Sequence, residues 1–131
     1  MADQSENSEL LEGMGSRLWR VREGCAVALG DAVQSRSMEV LAPHLEQMFY
    51  MTFRVMDDIK ETVRQAGLKC ARSLAAIAVR LCDVSHTPTE QASKAASIVL
   101  PFLLKKGITN DSEDVRYVSL SLSHALVGDV E

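Results

Sequence analysis

From residue 17 to residue 127 the apolar positions recur every three to four residues, and no stretch of useful length alternates as a strand would. The spacing predicts five helices, at 17–34, 38–56, 58–82, 88–106 and 112–127. The third is the longest. At about 100° per residue, Val63, Ala66, Gly67, Cys70, Leu74, Ile77 and Leu81 fall on one of its faces. Leu68, Ala71, Ala75, Val79 and Cys82 widen that face, leaving Gln65, Lys69, Arg72 and Arg80 as a polar stripe. An apolar arc of roughly 200° exceeds what a helix lying on a surface needs, so this helix is expected to be covered on two sides. The first helix follows the same layout, with Val21, Gly24, Cys25, Ala28 and Ala32 inward and Glu23 and Gln34 outward.

The ends of the predicted helices carry the expected punctuation. Thr87-Pro88-Thr89-Glu90 reads as a capping box with proline at the first helical position, and Gly107 stands where that helix should stop. Asp58 with Glu61, and Asn110 or Asp111, are competent caps for the third and fifth helices. Pro43 and Pro101 lie inside helical patterns and should kink them or shift their starts. The polar, acidic residues 1–9 predict a disordered amino terminus, ahead of a single domain at 10–131.

A dipeptide repeats on this frame. Val21-Arg22, Val63-Arg64 and Val115-Arg116 each open a run of small and apolar residues. Five residues before each valine stand Ser16, Asp58 and Asn110, and three after each arginine stand Cys25, Gly67 and Ser119, small enough for close helix approach. Helix pairs recurring every forty-odd residues, each with a doubly covered second helix, are the signature of an all-α solenoid of the HEAT/armadillo type, here about two and a half helix-pair repeats. Arg22, Arg64 and Arg116 then share one structural position in the first turn of each second helix. A guanidinium there is costly unless paired, and Asp58 and Asp111 are the expected partners in an arginine ladder. The first pair lacks a convincing first helix, and the last stops soon after its second. Such a chain is expected to be a segment of a longer array, or to associate with itself through open ends.

Composition narrows the function classes. The net charge of −4 speaks against a nonspecific nucleic-acid surface, and the short basic clusters sit beside acids, as on a solvated helix face. Cys25, Cys70 and Cys82 are odd in number and far apart, which fits reduced, buried thiols of an intracellular chain. The first residues lack the apolar core of a signal peptide, and charges interrupt every apolar run short of a membrane span.

Catalytic constellations are not found. Cys82 and His86 have metal-ligand spacing, but two ligands do not make a zinc site. Asp57-Asp58 and Glu113-Asp114 sit at helix starts, where open amides favour acids. No phosphate loop, nucleophile elbow or Cys/His pairing occurs, and no cofactor is implied. Trp19 reads as packing at a repeat junction. The run "LEQMFYMTFRVM" turns Met48, Phe49, Val55 and Met56 inward, while Tyr50, Met51 and Phe53 reach other faces and meet either the next repeat or a peptide.

The segments "WRVREGCAVALGD", "FRVMDDIKETVRQAG", "VRLCDVS" and "VLPFLLKKGI" together resemble the HEAT-repeat proteasome adaptor and scaffold family, very large proteins that hold the proteasome core particle to its regulatory particle. The resemblance implies proteasome subunits as partners, a cytoplasmic and nuclear location and no catalysis. It carries no contact motif onto these residues. The polar stripe Gln65, Lys69, Arg72 and Arg80 is the expected partner face, since equivalent helices line the concave side of HEAT stacks. A HEAT module of a transport receptor or phosphatase scaffold shares all the periodicity and stays open as the alternative.

Overall fold

The computed structural model describes residues 2–127, except the side chains of residues 2–5, 38 and 39; the last four residues of the predicted domain lie outside the described ones. Regular structure among them is all helical. The order is α1 (Ala2–Gly13), α2 (Trp19–Ser35), α3 (Met38–Leu41), a 3-10 turn (Ala42–His44), α4 (Leu45–Met56), α5 (Glu61–Leu81), α6 (Thr89–Phe102), a π turn (Leu103–Gly107) and α7 (Glu113–Val127). Where the sequence predicts one domain, the chain divides inside α5 into two compact units, one reaching Leu74 and one beginning at Ala75. Helices that pack chiefly on their sequence neighbours give such a division without any linker.

The amino terminus differs from its expectation. Residues read as disordered belong to α1, which supplies the missing first helix ahead of α2. Its composition is polar, but Asn7, Leu11 and Met14 lie one turn apart on one face and are all buried. Three positions suffice to dock a short helix, and they are too few to stand out against the surrounding acids. Glu6 adds an ion pair to Arg36 at 2.5 Å.

Both prolines act on the helices that hold them. Pro43 lies in the 3-10 turn that splits the predicted 38–56 helix into α3 and α4. Pro101 sits near the end of α6, and the chain then widens into the π turn, closed by the Ile108 N–H on the Leu103 carbonyl at 2.9 Å. Proline removes a backbone donor and crowds the preceding turn, so an altered hydrogen-bond pattern follows in each case.

In the first unit the core is built by Leu29 and Val33 of α2, Leu41, and Leu45, Met48, Phe49, Phe53, Val55 and Met56 of α4, with Val63, Cys70 and Leu74 of α5. The "LEQMFYMTFRVM" run is therefore core. Phe53 joins the buried face, Phe49 and Phe53 meet edge to face at 5.9 Å, and Tyr50 stays exposed. In the second unit Val99, Phe102 and Leu103 are buried with Val115, Val118 and Leu122.

All seven residues assigned to the inward face of α5 are buried, and all four of its polar stripe are exposed. The first predicted helix is corrected. Its fully buried residues are Ala26, Leu29, Gly30 and Val33, while Val21 and Gly24 are exposed and Cys25, Ala28 and Ala32 half-buried. Small residues all round α2 blur its polarity, and the larger Leu29 and Val33 decide which side turns inward.

Two glycines test this packing in opposite directions. At Gly67 an added Cβ would stand 2.9 Å from the Met56 nitrogen and 3.1 Å from the Val55 carbonyl carbon, backbone that cannot swing aside. At Gly24 nothing lies within 4 Å of that position. Gly67→Ala should lower stability by about 1–3 kcal/mol through overpacking. Gly24→Ala should raise it by up to about 1 kcal/mol through helix propensity. Urea midpoints moving in opposite directions are the expected result; a shared direction would contradict the close α4–α5 approach.

Candidate interaction surface at the Val-Arg turns

The three Val-Arg sites have one local geometry. Ser16 Oγ accepts a hydrogen bond from the Leu18 N–H, Asp58 Oδ1 from the Lys60 N–H and Asn110 Oδ1 from the Ser112 N–H, at 3.1, 2.9 and 2.8 Å. Each side chain thus closes a turn over its own backbone two residues on, which short oxygen-bearing side chains do readily. Six residues after each of these side chains an arginine returns. Arg22 Nη1 donates to the Ser16 carbonyl at 2.9 Å, Arg64 Nη1 to the Asp58 carbonyl at 2.8 Å, and Arg116 Nη1 to the Asn110 carbonyl at 2.7 Å. A guanidinium is suited to this because its planar fork offers several donors at fixed angles.

Arg22 also reaches the next turn. Its Nε and Nη2 donate to Asp58 Oδ2 and Oδ1 at 2.6 and 3.1 Å, a bidentate pair whose side chains keep 18% and 8% of their exposure. The bond to Asp58 holds the Arg22 guanidinium above its ordinary pKa. Burial works against the Asp58 carboxylate, but the Arg22 bonds, the Lys60 N–H and the charges of Arg22 and Arg64 together hold it below its ordinary 3.8. Asp58 thus joins Arg22 by its carboxylate and Arg64 by its carbonyl. At the third turn Asp111 takes part through its main-chain carbonyl, which accepts from Arg116 Nη1 at 3.0 Å. Its position was legible; that the bond uses backbone was not.

The other candidates resolve locally. Trp19 is half-buried, with the Lys60 ammonium 4.4 Å and the Arg20 guanidinium 4.8 Å from its ring centroid. His86 Nδ1 lies 3.0 Å from Asp83 Oδ2, and Ser85 donates by N–H and Oγ to Asp83 Oδ1, so the α5–α6 turn is closed on itself. Those bonds hold the Asp83 carboxyl below its ordinary range. Among the described residues no group of three His, Cys, Asp or Glu side chains could hold a metal. Burial raises the pKa of Cys25 and Cys82 and pushes Cys70 up to about 11, against the pull of its Thr52 contact. These groups are thiols at neutral pH, not nucleophilic thiolates. No helix among the described residues is long and apolar enough to cross a membrane. Gln65, Lys69, Arg72 and Arg80 are exposed along α5, and their side chains form no hydrogen bond or ion pair among the described residues, although the Arg80 carbonyl accepts from Thr87 Oγ1 at 2.7 Å.

This chain is 34% identical over 113 residues to the human proteasome adapter and scaffold protein ECM29, covering 86% of the chain and 6% of that protein. It is 39% identical over 115 residues to the proteasome component ECM29 of Saccharomyces cerevisiae, with the same shares. The chain is a fragment-length relative of the Ecm29 proteasome scaffold proteins. It spans about 6% of the length of these curated relatives. The proteasome-associated protein ECM29 homolog of Drosophila melanogaster matches at 32% over 133 residues, 86% of the chain and 7% of that protein. No family model and no solved structure matches.

Two measurements test the turns. Arg64→Met strands the Asp58 carbonyl and should lower stability by on the order of 1–3 kcal/mol. Arg72→Met, on the exposed stripe, should change it by less than about 0.5 kcal/mol. Equal denaturant midpoints would refute the distinction.

The second concerns acid. Because the folded state depresses the pKa of Asp58, its stabilising contribution is full above the ordinary value of 3.8 and is lost as pH falls through the lower folded value. Asp58→Asn should therefore flatten the acid limb of stability against pH, while lowering stability at neutral pH. An acid limb of unchanged slope in the variant would show that the pair does not titrate this way.

Proposed function

We propose that this chain is a non-enzymatic HEAT-repeat module that binds the proteasome, as part of a scaffold that supports its assembly or tethering in cytoplasm and nucleus. The observation that carries the reading is the likeness, over 86% of the chain, to proteins named as proteasome scaffolds and components. The thrice-repeated turn and its arginine support the HEAT type, since they mark successive helix pairs built to one plan.

The partner face is the α5 stripe. Lys69, Arg72 and Arg80 are three exposed cations on one helix of a chain with net charge −4, and Gln65 extends their line by a turn. Charge gathered against the sign of the whole molecule, with no internal partner, suits an acidic protein surface. Tagged chain should retain proteasome subunits from a lysate, and reversal of Lys69, Arg72 and Arg80 to Glu should lower retention at least about tenfold by weakening complementary charge contacts. Failure of the unmodified chain to retain any proteasome subunit would remove the function. Retention that survives the reversal would remove the α5 face, and recovery of a different complex would favour another HEAT assembly.

A further inference from the structure

The face that α2 buries is the face that α7 leaves in water. Counted from the valine of each Val-Arg pair, Ala26, Gly30 and Val33 of α2 stand where α7 carries Leu120, His124 and Val127. The three α2 residues are buried. Their α7 counterparts are exposed, Leu120 to 57% and Val127 to 58%. Within the first unit this side of α2 meets α5. A Cβ added at Gly30 would lie 3.3 Å from the Cys70 Cα, Gln34 Nε2 donates to Ser73 Oγ at 2.9 Å, and the Lys60 ammonium rests over the Trp19 ring.

The other half of that contact recurs as well. On α5 it is Cys70 and Ser73, continued along the same side by Val63 and Ala66. The same count puts Ala28, Asp31, Val21 and Gly24 at those places on α2. Val63, Ala66 and Cys70 are buried, whereas Val21 and Gly24 are exposed, Ala28 is half-buried, and nothing lies within 4 Å of a Cβ added at Gly24. Each copy of the chain therefore presents both halves of the α2–α5 contact uncovered, one on α7 and one on α2. We propose that α7 of one copy seats on this open side of α2 of a second copy, repeating between copies the contact that α2 makes with α5 within one. Such a contact joins two different patches and is heterologous.

Charge agrees with this register. Glu113, which replaces Trp19, falls beside Leu18 and Arg17 of the second copy, since Leu18 stands where α5 has Lys60. His124 falls beside Ala28 and Asp31, and its ring N–H has a carboxylate to donate to. A ring where α2 has glycine holds these helices further apart than α2 and α5, and Ala28 in place of Cys70 returns part of the space. The contact uses neither the α5 stripe nor the partner proposed above.

The test is sedimentation equilibrium of the 131-residue chain over a range of concentrations. An average mass that rises above the monomer with concentration is expected. Leu120→Arg and Gly24→Arg, both at open positions, should each raise the Kd of self-association at least about tenfold. Circular dichroism melts confirm that each variant is folded. An equimolar mixture of the two variants should form a dimer with the affinity of the unmodified chain, because it still holds one intact α7 face and one intact α2 face. A chain that stays monomeric at millimolar concentration would overturn the proposal, as would self-association that either variant leaves unchanged. A mixture no more associated than the separate variants would overturn it too, by showing that like faces pair or that the patches do not meet.

Discussion

A helix pair leaves open carbonyls at its turn, and in this chain a single guanidinium closes them three times. Each arginine sits in the first turn of its helix and bonds back to the carbonyl six residues earlier, where a short oxygen-bearing side chain has already bent the backbone. The bend and the brace depend on one another. Without the bend the carbonyl would not face the arginine, and without the arginine a partly buried carbonyl would stand unpaired. Asp58 extends the device from one turn to the next by offering its carboxylate to Arg22 and its carbonyl to Arg64. That one residue fixes α2 and the start of α5 in register, and the packing between them follows.

With the turns so fixed, the helices approach at points where side chains are missing. Gly67 lets α5 meet the backbone of α4, and Gly30 lies against the Cα of Cys70. At the corresponding place Gly13 leaves room for the sulfur of Cys25. These contacts suit a chain rich in alanine and serine and poor in aromatics: helices held this close have no room for large rings between them. They also explain the raised thiol pKa values, since a cysteine at such a contact is a small apolar residue withdrawn from water.

Legibility followed side-chain size and repetition. The buried face of α5 was readable because seven apolar residues hold one phase over about five turns, and a wide arc leaves little choice of orientation. The turns were readable because Ser16, Asp58 and Asn110 keep one distance from their arginines. The face of α2 was misassigned because alanine, glycine and cysteine carry almost no directional information, so Leu29 and Val33 decided it. Helix α1 was missed because, among its described side chains, only Asn7 and Leu11 are buried, with Met14 just beyond its end. That Ile59 and Leu18 are left outside at the turns could not be read at all, because periodicity reports which residues a helix can bury, not which a turn declines to bury.

What remains on the outside is then as informative as the core. A chain whose acids outnumber its bases would repel an acidic partner over most of its surface. Its exposed cations include those of α5 and those beside Trp19, with others at Arg54, Lys94, Lys105 and Lys106, while the arginines at the turns are consumed by carbonyls and by Asp58. Arginine therefore has two uses here. Set six residues after a turn-closing side chain it holds the fold and is unavailable to a partner. Set on an outward face it makes no internal bond, so its charge contributes to stability only weakly and is free to act in recognition. A long scaffold assembled from such turns can vary its outward cations from one helix pair to the next without disturbing the braces that hold the pairs together.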